Sequence, residues 1–256
     1  MKTKILRTSR GIFFVGWSQA VREAGKQIPR GADRSALIFA ETPVASRERN
    51  PQTGGMKVVS RFLLAASDEG HFPAASAPEV AFLGRSNVGK SSVINCLLGA
   101  KIAKTSSTPG RTRTINFYEI RWPGKPRPAL FFADLPGYGY ARLPREVTAE
   151  WVKFIEPYLE HRPTLGLVIV LVDCSVPPQD SDRQLVHWLR ARQRNLLVVA
   201  TKADRLSGNT LRSSVEGLQR EFGLDRIARF SARTGEGRDE LWREIRSACQ
   251  ADRVET

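Results

Sequence analysis

Apolar and polar positions alternate along the chain, from about Arg61 onward, in runs that predict strands separated by helices. Short apolar runs are typical of buried strands, and they occur at Val80–Leu83, Leu130–Ala133, Leu167–Val172, Leu196–Ala200 and Ile227–Phe230. A less regular pattern over Asn116–Arg121 predicts another strand, and Lys57–Leu63 predicts an edge strand.

Between these runs, apolar residues recur at helical spacing, and Ser92–Leu98 predicts a helix directly after the first buried strand. Three more helices are predicted by stripes formed by Val147, Trp151, Phe154, Ile155, Tyr158 and Leu159, by Leu185, Trp188 and Leu189, and by Leu241, Ile245 and Ala248. We expect Pro157 to kink the first of these three, and we expect the aromatic residues to face the core rather than to stack on bases. The alternation predicts an α/β fold with a doubly wound, mostly parallel sheet and helices on both faces.

The composition indicates a folded chain with a sizeable core, since 41% of the 256 residues are hydrophobic. The longest apolar run, Leu165–Val172, is too short to cross a bilayer, so we expect no integral membrane segment. Scattered cysteines and histidines without metal-ligand spacing favour a reducing, cytoplasmic compartment and argue against a Cys or His metal site. The net charge of +14 favours a polyanionic partner, which can be RNA, DNA or a lipid surface; a generally basic, solvated surface is the alternative.

Residues 1–55 differ from the rest because they are basic, rich in small residues and end in a linker-like stretch, Asn50–Gly55. Three interpretations compete: a disordered basic tail, an organelle targeting segment, or upstream sequence included by a misplaced start. We favour an extension outside the domain or a mis-assigned start. Residues 56–250 then form one domain and residues 251–256 a C-terminal tail. A transit peptide would instead place the protein in an organelle.

The clearest chemical motif is Gly84–Ser91, which reads G-R-S-N-V-G-K-S and matches the phosphate-binding pattern G-x-x-x-x-G-K-[ST]. It lies between a predicted strand and a predicted helix, where backbone N–H groups and the helix N-terminus can surround a phosphate. We expect Lys90 to reach the β- and γ-phosphates and the Ser91 hydroxyl to bind Mg²⁺. The predicted phosphate ligands are Gly84, Arg85, Ser86, Asn87, Val88, Gly89, Lys90 and Ser91.

Two further segments are expected to sense a γ-phosphate. Asp134 follows a predicted strand and can hold Mg²⁺ through a water, and the N–H of Gly137 can approach a γ-phosphate closely. A threonine in the turn-rich loop Thr108–Thr114 can ligate Mg²⁺ only while that phosphate is present. Thr112 is the first choice and Thr114 the second, and an ordinary exposed loop is the alternative.

A base-recognition motif, T-K-A-D, follows a predicted strand at Thr201–Asp204. The Asp204 carboxylate can accept hydrogen bonds from N1–H and the exocyclic amine of guanine, a donor pair that adenine lacks. The aliphatic stem of Lys202 can cover the base. The motif F-S-A at Phe230–Ala232 follows the last predicted strand, where Ser231 and the Ala232 N–H can brace Asp204 and the guanine carbonyl.

In this order and on strand ends, the five motifs resemble a translation-factor-class small GTPase domain, and their sequences are similar to the EngB family of bacterial GTP-binding proteins. The most distinctive stretches are T-P-G-R-T at Thr108–Thr112 and D-L-P-G-Y-G-Y-A at Asp134–Ala141. The resemblance spans roughly residues 56–250. It implies a P-loop GTPase of the Ras-like G-domain type that acts in large ribosomal subunit assembly and is needed for normal cell division and septation.

The same resemblance implies the ligands of a bound nucleotide and metal. Mg²⁺ would be held by Ser91 and Thr112. Besides the phosphate loop, GTP or GDP would be held by Gly110, Arg111, Thr112, Arg113, Thr114, Asp134, Leu135, Pro136, Gly137, Thr201, Lys202, Ala203, Asp204, Phe230, Ser231 and Ala232. Members of the family normally begin near the position of Met56, so nothing carries over to residues 1–55. We expect a monomer.

Hydrolysis is expected to be slow because Tyr138 stands where Ras-like enzymes carry a water-orienting glutamine. Similarity to GTPases with an asparagine in the phosphate loop implies that K⁺, bound through Asn87, neutralises charge in the transition state. We therefore expect K⁺ or a ribosomal partner to accelerate turnover, with Lys90, Asn87 and Gly137 as catalytic residues.

Basic residues around the predicted γ-phosphate loop are candidates for docking on rRNA, with solvated loop charge as the alternative. They are Lys101, Lys104, Arg111 and Arg113 beside the loop, and Arg121, Lys125 and Arg127 on the following hairpin. The alternative function is a guanine-nucleotide-binding module of the division machinery with incidental hydrolysis. A tRNA-modifying enzyme is disfavoured because the chain lacks a further domain for that chemistry, and Asp204 disfavours an ATP-dependent enzyme.

Overall fold

The structure, a computed structural model, describes residues 57–103, 114–138 and 145–251. The expectations for the N-terminal extension, for residues 108–113 and for residues 252–256 therefore lie outside the described residues. Within them, strands and helices alternate as the hydrophobic pattern predicts, and the predicted α/β fold class is confirmed.

Seven strands of the described residues form one sheet in the order β1-β3-β4-β2-β5-β6-β7. Their bounds are β1 Val59–Ala66, β2 Glu79–Gly84, β3 Ile115–Arg121, β4 Leu130–Asp134, β5 Leu165–Asp173, β6 Leu196–Thr201 and β7 Ala228–Arg229. β3 pairs antiparallel with both β1 and β4, whereas β4, β2, β5, β6 and β7 run parallel. Each predicted strand is present, although only two residues of Ile227–Phe230 join the sheet.

Five helices of the described residues connect and cover these strands: α1 Lys90–Leu98, α2 Arg145–His161, α3 Asp180–Ala191, α4 Gly208–Phe222 and α5 Arg238–Ala251. Short 3₁₀ turns occur at Glu69–His71 and Ala203–Arg205. α2 includes Pro157 and continues to His161, so the proline does not end the helix. The sequence patterns above did not predict α4, which buries Leu211, Leu218 and Phe222.

The helices cover both faces of the sheet, as a doubly wound fold requires. On one face α2, α3 and α4 contribute to a core, with Tyr158, Leu189 and Phe222 among its buried residues. On the other face α1 and α5 pack Ile94 and Trp242 against the strands. Burial on both faces explains why the central strands consist almost entirely of apolar residues.

A buried ionic network fixes the end of the sheet where β2 begins. Glu79 is fully buried and accepts hydrogen bonds from Tyr158 Oη at 2.8 Å, Arg162 Nε at 2.9 Å and Thr164 Oγ1 at 2.7 Å. Because each polar atom has a partner, the carboxylate can remain buried. The network joins the C-terminal end of α2 to the sheet, at the end of β2 opposite the phosphate loop.

Candidate functional site

The candidate site lies at the carboxyl ends of the parallel strands, where three predicted motifs begin. β2 leads into the phosphate loop, β4 ends at Asp134 and β6 ends at Thr201. Since parallel strands point the same way, these ends meet at one edge of the sheet. Contacts between the side chains and backbones of these loops, described below, join them into one site.

The backbone of the phosphate loop takes conformations that its residue types permit. Asn87 has a φ of 64° and Gly89 a φ of 100°, both in the left-handed region. Glycine adopts this region without strain and asparagine tolerates it better than most residues. Gly89 is also the N-cap of α1 and makes no side-chain capping bond, so backbone N–H groups in the first turn of α1 remain suitable for an anion.

Lys90 and Asp134 are in direct contact, Nζ to Oδ1. Asp134 is only 5% exposed, and the pair joins the start of α1 to the end of β4. The ammonium predicted to bind phosphate and the carboxylate predicted to act on a metal therefore reach the same point. A Mg²⁺ ion bound to a nucleotide phosphate requires a lysine ammonium and a carboxylate close together in this way.

The turn after β4 brings Gly137 against the phosphate loop. A methyl group on Gly137 would lie 3.0 Å from Ser86 Oγ and 3.3 Å from the Ser86 nitrogen, which is tighter than ordinary van der Waals contact. Glycine fits this approach as it stands, whereas a larger residue would require Ser86 to shift by a few tenths of an ångström. Leu135 and Pro136, between Asp134 and Gly137, are buried.

The T-K-A-D motif is bonded directly to the phosphate loop. Thr201 Oγ1 donates to the carbonyl of Val88 at 2.8 Å, and Lys202 Nζ donates to the carbonyl of Asn87 at 2.8 Å. Lys202 Nζ also pairs with Asp173 Oδ2 at 2.6 Å. Burial alone would raise the pKa of Asp173, but hydrogen bonds from Lys202 and Ser175 lower this pKa below its ordinary value. The predicted base and phosphate ends of the site thus form one bonded unit.

Asp204 and Ser231 are also brought together. Ser231 is 0% exposed, and its Oγ donates to Asp204 Oδ1 at 2.6 Å. The Ala203 N–H donates to the carbonyl of Phe230 at 3.2 Å, which ties the two loops at the backbone as well. Ala232 follows Ser231 in the same loop. One carboxylate oxygen is thereby oriented by the serine, while Arg233 lies 3.8 Å from the other.

The predicted γ-phosphate loop is described only at its end. Gly110, Arg111, Thr112 and Arg113 lie outside the described residues. Thr114, which precedes β3, lies 3.4 Å from Asn116 Oδ1 through its hydroxyl. The role of Thr112 stays a prediction.

Sequence reasoning missed two acidic residues near the site, Asp173 at the end of β5 and Asp182 in the first turn of α3. Both line a cavity of about 150 Å³ beside Arg85, Asn87 and Lys202. Asp173 had a usable signal, because it is a carboxylate that directly follows a buried apolar run. Asp182 had none, since acidic residues are common in the first turn of a helix.

Among the described residues, no cluster of three or more His, Cys, Asp or Glu side chains forms a metal site. A cation here would need oxygen ligands from phosphate and water in addition to the protein. Over the same part of the chain, no helix has the length and apolar character needed to cross a membrane.

Comparison with known proteins places these features in a known group. A family model described as "50S ribosome-binding GTPase" matches residues 79–202. The probable GTP-binding protein EngB of Koribacter versatilis is 60% identical over 197 residues, which are 77% of this chain and 97% of the relative. The corresponding protein of Acidobacterium capsulatum is 54% identical over 198 residues, covering 77% of this chain and 94% of the relative.

Solved structures share the fold. The crystal structure of a probable GTP-binding protein engB matches 68% of this chain and 99% of its own, with a TM-score of 0.53 and 24% identity. A point variant of Era from Aquifex aeolicus, bound to GDP·AlF4⁻, matches 68% of this chain and 57% of its own, with a TM-score of 0.58 and 23% identity. At these identities the likeness is one of fold.

Proposed function

Because the chain belongs to the EngB family of GTP-binding GTPases, we propose that it is a slow GTP-dependent switch in assembly of the large ribosomal subunit. Resemblance to this family also implies that the protein is needed for normal cell division and septation. The observation that carries the nucleotide part is the pair of bonds from Thr201 and Lys202 to the phosphate loop. They tie the loop that carries Asp204 to the phosphate loop, which supports a single site for base and phosphates.

In this proposal the guanine nucleotide lies along the described edge of the sheet. Gly84–Ser91 surround the phosphates, Thr201–Asp204 and Phe230–Ala232 hold the base, and Asp134–Gly137 with Gly110–Thr114 respond to the γ-phosphate. The Asp204 carboxylate accepts hydrogen bonds from the guanine edge, and it also accepts one from the Ser231 hydroxyl. Adenine would leave this carboxylate without donors, so the site would reject adenine strongly.

Magnesium fits the residues at the phosphate end. Ser91 is the second residue of α1, directly after Lys90, and the contact between Lys90 and Asp134 brings a buried carboxylate to the same end of the helix. Hydroxyl and carboxylate oxygens are the ligands that Mg²⁺ prefers. We assign Ser91 and Thr112 as direct ligands and Asp134 as a ligand through water. When bound, the ion offsets negative charge on the phosphates, and Lys90 exchanges its carboxylate partner for phosphate oxygens.

Hydrolysis is slow in this proposal because a tyrosine stands where Ras-like enzymes carry a water-orienting glutamine. Tyr138 occupies that position, and its hydroxyl donates to Asp182 at 3.0 Å. Lys90 and the Gly137 N–H stabilise charge on the γ-phosphate. Asn87, which is exposed in the phosphate loop, would provide a K⁺ ligand.

We expect purified protein to hydrolyse GTP several-fold faster in K⁺ than in Na⁺. Asn87→Gly should abolish the difference, because glycine accepts the left-handed backbone at this position and removes only the side chain. Steady-state phosphate release in matched chloride salts measures this. Equal turnover of the wild type in both salts would rule out the potassium role.

Docking on the ribosome is supported by charge on the hairpin between β3 and β4. Lys125 and Arg127 are exposed there, and they follow β3, which begins at the end of the γ-phosphate loop. Phosphate contacts dominate the affinity of proteins for RNA and weaken as salt rises. A basic hairpin joined to the switch by one strand can therefore couple nucleotide state to rRNA binding.

Sedimentation with large-subunit precursors tests this function. We expect the full chain to co-sediment in the presence of a non-hydrolysable GTP analogue and not with GDP. Lys125→Glu with Arg127→Glu should reduce binding, most strongly at low salt. The matched control reverses the same charge on α4, at exposed Arg212 and Arg220, and should have little effect. Binding that ignores both nucleotide and salt would contradict the proposal and favour the division-machinery alternative.

A further inference from the structure

Tyr138, the residue after the sensor glycine, is bonded at both its backbone and its side chain. Its N–H donates to the carbonyl of Gly84 at 3.3 Å, and it forms an isolated parallel bridge with Arg85. Its hydroxyl donates to Asp182 Oδ1 at 3.0 Å. The turn that carries Gly137 is therefore held between the phosphate loop and α3.

The backbone bonds are offset by one residue from a regular parallel ladder. Leu135 N–H donates to the carbonyl of Phe82 at 3.1 Å, and a regular ladder would continue with Gly137 donating to Gly84. Tyr138 takes that bond instead, so Gly137 is the extra residue in a local bulge. Within the described residues, the Gly137 N–H has no protein acceptor. The offset thus leaves it available as a donor.

Asp182 is built to hold the tyrosine. It is only 2% exposed, and its second oxygen accepts the N–H of Gln179 at 2.9 Å as half of a capping box at the start of α3. The positive charge of Arg85 acts on both Asp182 and Tyr138. Burial, reinforced by the Asp182 carboxylate, raises the pKa of Tyr138 well above its ordinary value, so the hydroxyl keeps its proton and remains a donor at neutral pH.

We infer that Asp182 is a positioning residue for the γ-phosphate sensor: through the hydroxyl of Tyr138 it fixes the bulge that presents the Gly137 N–H. The inference rests on the nucleotide site proposed above. It gives Tyr138 a role other than orienting water, since its hydroxyl is directed to α3. It also makes α3 an element that responds when Gly137 engages or releases a phosphate.

The test compares affinities of the full chain for a non-hydrolysable GTP analogue and for GDP, both with Mg²⁺. Tyr138→Phe removes only the hydroxyl, and we expect the preference for the GTP analogue over GDP to fall about tenfold, the effect of one hydrogen bond to a charged acceptor. Affinity for GDP should stay unchanged. Asp182→Ala should reduce the preference similarly, and the double variant should lose no more than either single variant.

Tyr158→Phe is the matched control, because it removes the same kind of bond, from a buried tyrosine to a carboxylate, at the opposite end of β2. It should lower thermal stability and leave the nucleotide preference intact. An unchanged preference in Tyr138→Phe, or equal weakening of both nucleotides, would overturn the positioning role while leaving the nucleotide site standing. Failure of the wild type to bind either nucleotide would overturn both.

Discussion

At the scale of single residues, Asp204 decides which base the site accepts. One of its oxygens is oriented by the buried hydroxyl of Ser231 at 2.6 Å, so the carboxylate cannot turn freely to suit a different edge. Guanine offers two donors to it, and each charge-assisted bond contributes roughly 1.5–3 kcal/mol. Recognition therefore depends on a donor and acceptor pattern rather than on shape.

We expect Asp204→Asn to weaken GTP binding by at least about 100-fold and to shift preference toward xanthosine triphosphate, whose edge offers an acceptor to the new amide. Competition binding with GTP, ATP and xanthosine triphosphate measures this. Asp225→Asn, a change of the same type in the loop before β7, is the control and should leave all three affinities unchanged. Retained GTP affinity in Asp204→Asn would contradict the assignment.

Individual residues could be predicted from the sequence where a motif fixes their chemistry. Lys90, Asp134 and Asp204 follow from spacing and from their place after apolar runs. Asp182 could not be predicted, because its importance comes from Tyr138, 44 positions earlier, and from burial in the folded chain. Such a contact arises from tertiary packing, and the spacing of residues along the sequence does not predict it.

At the scale of elements, the phosphate-loop helix α1 is held at its far end by α5. Arg238 Nε donates to the carbonyl of Cys96 at 2.8 Å, and Trp242 Nε1 donates to that of Leu97 at 3.1 Å. These carbonyls belong to the last turn of α1, where helices lack internal donors. α5 thus supplies hydrogen-bond donors that the last turn of α1, the helix that carries Lys90, lacks by itself.

We expect Trp242→Phe to destabilise the protein by about 2 kcal/mol, because it removes one buried hydrogen bond and leaves a small cavity. Urea unfolding followed by circular dichroism measures the change. Trp188→Phe is the control: Trp188 is half-buried beneath the guanidinium of Arg192, so its replacement should cost less than about 1 kcal/mol. Equal costs for the two variants would show that the bond to α1 contributes nothing.

Elements were predictable where apolar residues were dense, and α4 shows where this fails. Its buried residues Leu211, Leu218 and Phe222 have helical spacing, but Gly208 and Gly217 and several polar residues weaken the pattern. Its stability comes from packing against the sheet and α3 rather than from propensity. β7 contains only two residues of its apolar run. Gly237 lies so close to its end that a methyl group there would lie 2.0 Å from the Arg229 carbonyl oxygen.

At the scale of the whole molecule, stability should depend on pH through Glu156 on α2. Burial, reinforced by the negative charge of Glu160 and opposed by Arg192, raises the pKa of Glu156 from 4.5 to about 7. The folded protein thus holds this proton more tightly than the unfolded chain does. The residue favours folding below about pH 4.5, and this contribution is lost as the pH rises through 7.

Glu156→Gln removes the penalty for ionisation, so we expect a gain of about 1 kcal/mol near pH 8, reduced by solvent screening at this partly exposed site, and almost none near pH 4.5. Melting temperatures across this range test it. Glu216→Gln, the same substitution at an exposed position on α4, is the control and should change the melting temperature little. A pH-independent effect of Glu156→Gln would refute the assignment.

The overall architecture was predictable because alternation of strand and helix patterns admits few folds, and the order of the motifs fixes which strand ends carry chemistry. The order of the strands in the sheet could not be predicted in the same way. It depends on which strands pair across long stretches of chain, such as β2 with β5, and hydrophobic pattern alone does not distinguish such pairings.

The left-handed backbone at Lys202, with a φ of 60°, bears on how this protein can adapt to heat. A lysine in that conformation costs on the order of 1 kcal/mol, which glycine would recover. Glycine would also delete the ammonium that joins Asn87 to Asp173. Replacing Lys202 by glycine would therefore relieve backbone strain but remove functional contacts. We expect relatives from thermophilic organisms to gain stability at other positions and to keep lysine at this one.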